Sequence, residues 1–148
     1  MRMAKPLTDR EIEKLFDFVG YGTLDADVWF LGMEEAGGGE DNIRTRVDFE
    51  PVEDCAAAHQ KLGVLELHTG KRKIQRTWRG MCYIMLALEG KEPHTEEIRS
   101  YQAEHLGRFG GNTLLTNSLR KSPSVSLWRY QAIYSTNSPL KSGIIFYN

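Results

Sequence analysis

At 148 residues the chain has the length of one domain and can bury a real core. Hydrophobic residues make up 41%, charged residues 26%, and the formal net charge is −1, so no overall field draws it onto nucleic acid or an anionic membrane, and a nucleic-acid role needs a local basic patch. No stretch approaches the ~20 apolar residues of a membrane span, Met1-Arg2-Met3-Ala4-Lys5-Pro6 has no apolar signal core, and two cysteines, Cys55 and Cys82, exclude a disulfide framework or a four-cysteine iron–sulfur site.

The first predicted element is a helix. Thr8-Asp9-Arg10-Glu11 has the pattern of a capping box, and Ile12, Leu15, Phe16 and Val19 follow as an apolar stripe. Gly20 and Gly22 are expected to end it. The short, nearly continuous apolar run 27–33 predicts a strand buried on both faces, as in a parallel sheet. Residues 34–42 then read as a loop. A helix is predicted over 52–62, with Pro51 in its first turn and Gly63 at its end, and a short strand over 64–68. A longer helix over 73–88 places Ile74, Trp78, Met81, Met85 and Leu88 on one face, with Gly90 as its stop. Trp78, Cys82 and the methionines of that helix are read as core. A further helix over 95–106 turns Ile98, Tyr101 and Leu106 inward. Residues 113–117 predict a second central strand and 143–147 a final one. Helices between apolar strands point to a single α/β domain, a three-layer α/β/α sandwich with a short, mainly parallel sheet.

In open α/β sheets ligands gather beyond the carboxyl ends of the strands. That rule selects two loops. In the first, Glu34 and Glu35 precede Gly37, Gly38 and Gly39. Glycines there let the backbone turn sharply or approach a ligand closely, and a glutamate can act as a general base or stabilise a cation. The plainer alternative is a surface turn with solvated acids. A phosphate loop does not fit, because there is no G-K-[ST] and two carboxylates would repel phosphate. The second loop opens with Asn117 and carries Arg120, Lys121 and Ser122. An amide both donates and accepts, which suits reading a base edge; an Asx turn is the structural alternative. Lys71-Arg72-Lys73, with Arg76 and Arg79, can meet a nucleic-acid backbone or simply start a helix in solvent. His59, His68, His94 and His105 show no metal-ligand spacing, so no zinc site is expected.

Taken together, the two loops resemble the motifs of the uracil-DNA glycosylase superfamily. Gly32-Met33-Glu34-Glu35-Ala36-Gly37 is similar to the G-x-[polar]-P-G loop after the family's first strand, and Leu114-Leu115-Thr116-Asn117 to the L-L-x-N that ends its third. Ser118-Leu119-Arg120-Lys121-Ser122-Pro123 is similar to the basic, proline-containing continuation of several members. The resemblance covers 28–39 and 113–123, and its two-glutamate, three-glycine form looks more like uncharacterised bacterial members than the well-studied branches.

The resemblance implies Glu34, with Glu35 beside it, as the catalytic carboxylate, and Asn117 as the base-reading amide. Gly32 and Met33 would lie against the base, and Phe49 would stack on it unless it is a core ring. Gly37, Gly38, Gly39, Arg120, Lys121 and Ser122 would meet the nucleic-acid backbone. The implied partner is DNA, single-stranded or with a flipped base, or a nucleotide; no cofactor, metal or membrane is implied, and the two cysteines, read as reduced thiols, suit a cytoplasmic setting. The sequence leaves the oligomeric state open. Departures are plain. The proline of the first motif is replaced by Glu35 or Ala36. No His-Pro-Ser-like loop is found: Asn137-Ser138-Pro139-Leu140 lacks histidine and lies too close to Asn117 for the intervening helix and strand. A C-terminal part shortened or replaced relative to the family is therefore expected, and with it the alternative of a catalytically inactive binding module. The resemblance also makes a geometric demand: the strand ends at Met33 and Asn117 must lie side by side.

Overall fold

The computed structural model describes residues 5–32, 39–69, 73–117 and 143–146. Helix α1, Asp9–Asp17, begins as its sequence demands. The Thr8 hydroxyl accepts the Glu11 amide at 3.3 Å, and the Glu11 carboxylate reaches back to the Thr8 amide at 2.7 Å, so two orphan donors of the first turn are satisfied reciprocally. The apolar stripe is not buried, however. Ile12 and Phe16 stay exposed and α1 contributes no fully buried residue.

Gly20 and Gly22 do not end that helix, which stops at Asp17 with Phe18 as its extended cap. They form strand β1, Gly20–Gly22, antiparallel to β4, Thr113–Asn117. A side chain at either glycine would lie 2.1 Å from a carbonyl oxygen of β4, Leu115 or Thr113. Gly22 also has φ +118°, a conformation open essentially to glycine alone. The glycines therefore permit the pairing that their usual role as breakers conceals.

Strand β2 is Val28–Gly32. Val28 and Phe30 are buried, while Trp29 and Leu31 on the alternate face are only partly so, which corrects the expectation of burial on both faces. Strand β3 is Val52–Glu53 and β5 is Gly143–Phe146. The order β3-β1-β4-β2-β5 puts β4 at the centre, with Leu114 and Leu115 both buried. Pairings β1–β3, β2–β4 and β2–β5 are parallel and β1–β4 is antiparallel. The sheet is thus mixed, because the unexpected glycine strand runs against its neighbour.

The remaining elements are helical. Residues expected to continue the first loop instead form α2, Glu40–Arg46, entered through Gly39. The helix expected over 52–62 is shortened to α3, Cys55–Lys61, because Val52 and Glu53 pair with β1 and Asp54 takes the cap. The predicted strand at 64–68 is a helical turn, α4, Glu66–Thr69. Helix α5 spans Arg76–Leu88 and α6 Thr95–Glu104. Met81, Cys82, Met85 and Leu86 are buried, with Trp78 packed partly against them, but Leu88 is exposed. Ile98, Tyr101 and Leu106 are buried as expected. Burial pushes the Cys82 thiol up to about 12, so it is an inert core thiol. Among the described residues no helix is long and apolar enough to cross a membrane.

Candidate functional site

The carboxyl ends of β2 and β4 lie side by side. The strands pair in parallel over their full length, ending with Gly32 opposite Asn117. One residue below, Val52, Gly20, Thr116, Leu31 and Phe146 form a continuous row across the five strands. Opposite strand direction brings the starts of β1 and β3 to this same edge. Val19 donates its amide to the Pro51 carbonyl at 2.7 Å and accepts the Thr116 hydroxyl at 2.5 Å. The segments leading into β1 and β3 are thereby tied to the strand that ends in Asn117. A side chain at Gly32 would meet no described atom within 4 Å, so the Cα at this strand end faces open space among the described residues.

Phe49 sits in the core cluster, 8% exposed, against Phe18 at 5.8 Å between ring centroids. Two cations cover it: the Arg46 guanidinium at 5.9 Å and the Lys61 ammonium at 5.3 Å from the ring centre. Arg46 is steered by Asn42 and the Tyr21 hydroxyl, and Lys61 by the buried Glu53 carboxylate at 2.8 Å. Stacking of a base on Phe49 would require one of these cations to swing aside. Gly39 is the backbone cap of α2. Glu34, Glu35, Met33, Gly37, Gly38, Arg120, Lys121 and Ser122 lie outside the described residues, as do Lys71 and Arg72. Lys73, Arg76 and Arg79 are exposed.

A second polar centre has little signature in the sequence. Asp54 caps α3 by accepting the Ala57 amide at 3.1 Å, and its second oxygen accepts Arg108 and the Phe109 amide, each at 2.9 Å. Burial pushes the Asp54 carboxyl up, but Phe109, Arg108 and Ala57 together outweigh it and hold the group below its ordinary value. One turn on, His59 Nδ1 donates to the Cys55 carbonyl at 2.6 Å and lies 3.6 Å from its thiol. The fold sets His59 and His68 with ring centres 5.7 Å apart, and Trp78 meets each edge-on at 5.3 and 5.4 Å. The four-residue step from Cys55 to His59 was the available signal; nothing in sequence marks His68 as their neighbour. Among the described residues no group of three His, Cys, Asp or Glu could hold a metal ion.

No model of a known protein family, no curated protein and no solved structure matches the chain.

Proposed function

We propose that the chain is a divergent uracil-DNA glycosylase-like protein that hydrolyses the N-glycosidic bond of a flipped, uracil-like base in the cytoplasm. The observation that carries this reading is the register of Gly32 opposite Asn117 on parallel neighbours. The loop bearing Glu34 and Glu35 leaves one strand end, and the amide residue stands at the other, as a shared base pocket requires. The edge is the carboxyl end of three mutually parallel strands, β4, β2 and β5, where α/β sheets place ligands. In this reading the helices complete a variant three-layer sandwich.

The target base leaves the stack and Asn117 hydrogen-bonds its edge. The C1′–N bond then ionises: its electron pair departs with the base, which takes up a proton, and C1′ becomes oxocarbenium-like. The Glu34 carboxylate stabilises that cation or orients the water whose oxygen bonds to C1′. Glu35 supplies a second negative charge beside it. Arg120, Lys121, Ser122 and the glycine backbone of 37–39 hold the phosphates.

The test is incubation with uracil-containing single-stranded DNA followed by alkaline cleavage of abasic sites. Scission that disappears in Glu34→Gln supports the reading. A missing His-Pro-Ser-like loop favours a second one, a module that binds the base without cutting: uracil-dependent binding without scission, weakened by Asn117→Ala, would select it. Neither scission nor base-dependent binding refutes both.

A further inference from the structure

Helix α4 is a single turn packed between α3 and α6, and His68 is its buried anchor. The ring Nε2 donates to the Leu106 carbonyl at 3.1 Å, which places the one proton of the neutral imidazole on Nε2. Nδ1 is then a bare lone pair, buried and without a hydrogen-bond partner among the described residues. The Cys55 carbonyl likewise fixes the proton of neutral His59 on Nδ1, and Trp78 flanks both rings. The neutral His68 ring is accommodated, and a charged one is not.

We propose that His68 is an acid-released latch, whose protonation frees α4 from the seam between α3 and α6 while the sheet stays folded. A proton added at Nδ1 creates a buried donor with nothing among the described residues to accept it. It also puts a positive charge beside His59 of α3 and Arg108 of the α6–β4 connection; Trp78 of α5 and Gln102 of α6 offer no charge to offset it. Two groups favour the cation: the Leu106 carbonyl, already bonded at Nε2, and the Asp54 carboxylate, whose oxygens are taken by Ala57, Arg108 and Phe109. Opening α4 lets the ring reach water. The turn is four residues long, and on opening its Leu67 and His68 carbonyls would exchange Gln102 for solvent, so release is local.

Burial is the main force that lowers the His68 pKa; the Leu106 bond works against it, and His59 and Arg108 add to the lowering. A freed imidazole takes its proton near pH 6.5. The closed state therefore keeps its full advantage above that pH, loses it as pH falls through about 6.5, and loses no more once pH passes below the closed-state pKa.

Hydrogen exchange on the intact chain tests this. The His68 and Thr69 amides both donate to the Leu65 carbonyl, and the Leu115 amide of β4 serves as reference. After correction for intrinsic rates, going from pH 7.5 to pH 5.0 should raise α4 opening by up to about thirtyfold relative to β4. His68→Gln keeps a donor for Leu106 without a titrating ring, and should abolish the pH dependence. An unchanged α4-to-β4 ratio overturns the latch, as does equal loss of protection in both, or a pH dependence that survives in His68→Gln. Should that variant fail to fold, a proton NMR titration of the unaltered chain decides: a His68 pKa at or above 6.5 overturns the proposal, and a lower one, with the loss of α4 protection beginning near pH 6.5 and levelling off at that lower pKa, supports it.

Discussion

Asp54→Ala probes how the start of α3 is fastened to the connection between α6 and β4. Three contacts end on this carboxylate, at 3.1, 2.9 and 2.9 Å, and the residue is only 8% exposed. The cap to Ala57 contributes about 1 kcal/mol. Each bond from Arg108 and Phe109 to the charged oxygen contributes about 1.5 kcal/mol, with the Arg108 share reduced because that side chain is a third exposed. Shared atoms make the sum sub-additive, so the expected loss is about 2–4 kcal/mol. For a chain of this size that lowers Tm by about 5–12 °C. Urea unfolding followed by circular dichroism at pH 7 is the assay. Asp54→Asn, an equally good cap, should lose about half as much. The pH dependence carries a definite sign. A carboxyl held low in the folded state contributes fully above its unfolded value near 3.9 and loses that contribution as pH falls through the folded pKa. Asp54→Ala should therefore flatten the acid limb of the stability curve below about pH 4. A loss under about 1 kcal/mol, no more than an isolated cap, would refute the idea that one carboxylate joins two elements.

Gly22→Ala should destabilise by more than about 2 kcal/mol, through backbone strain at φ +118° and the clash with the Thr113 carbonyl; Gly90→Ala, at φ +71° with open space around it, should cost about 1 kcal/mol, and equal losses would show that β1 does not approach β4 so closely. Gln102 bonds the Leu67, His68 and Lys73 carbonyls and the Gln75 amide, so Gln102→Leu should cost about 2–4 kcal/mol and speed exchange in 67–69 and 73–75 before β4. Phe30→Ala, at a fully buried site, should cost about 3–5 kcal/mol in the same urea assay.

Where local chemistry suffices, the sequence is enough. The capping box at Thr8, the β-rich run at 113–117, the start of α6 at Thr95 and the stop at Gly90 all follow from residues within a turn of one another. The two loops most worth examining were also legible, because an apolar run that stops abruptly marks a strand end whatever its neighbours. Other features needed partners far along the chain. Gly20–Gly22 reads as a breaker until β4, some ninety residues later, offers carbonyls that only a glycine can approach. Val52 and Glu53 look helical until β1 supplies a ladder, and α4 is a turn because the seam between α3 and α6 accepts His68.

The same division governs the candidate sites. The sequence by itself identified strand ends at Met33 and Asn117, since each closes an apolar run; the described strand β2 runs to Gly32. That Gly32 and Asn117 stand opposite one another was decided by the order of strands, a consequence of how the whole sheet buries its faces. Histidine spacing carried no trace of the His59–His68–Trp78 cluster, whose members meet through packing of three helices. Periodicity and caps act within a turn and can be read in order; strand neighbours and buried ring contacts are fixed by shape complementarity across the core, which exists only once the chain has folded.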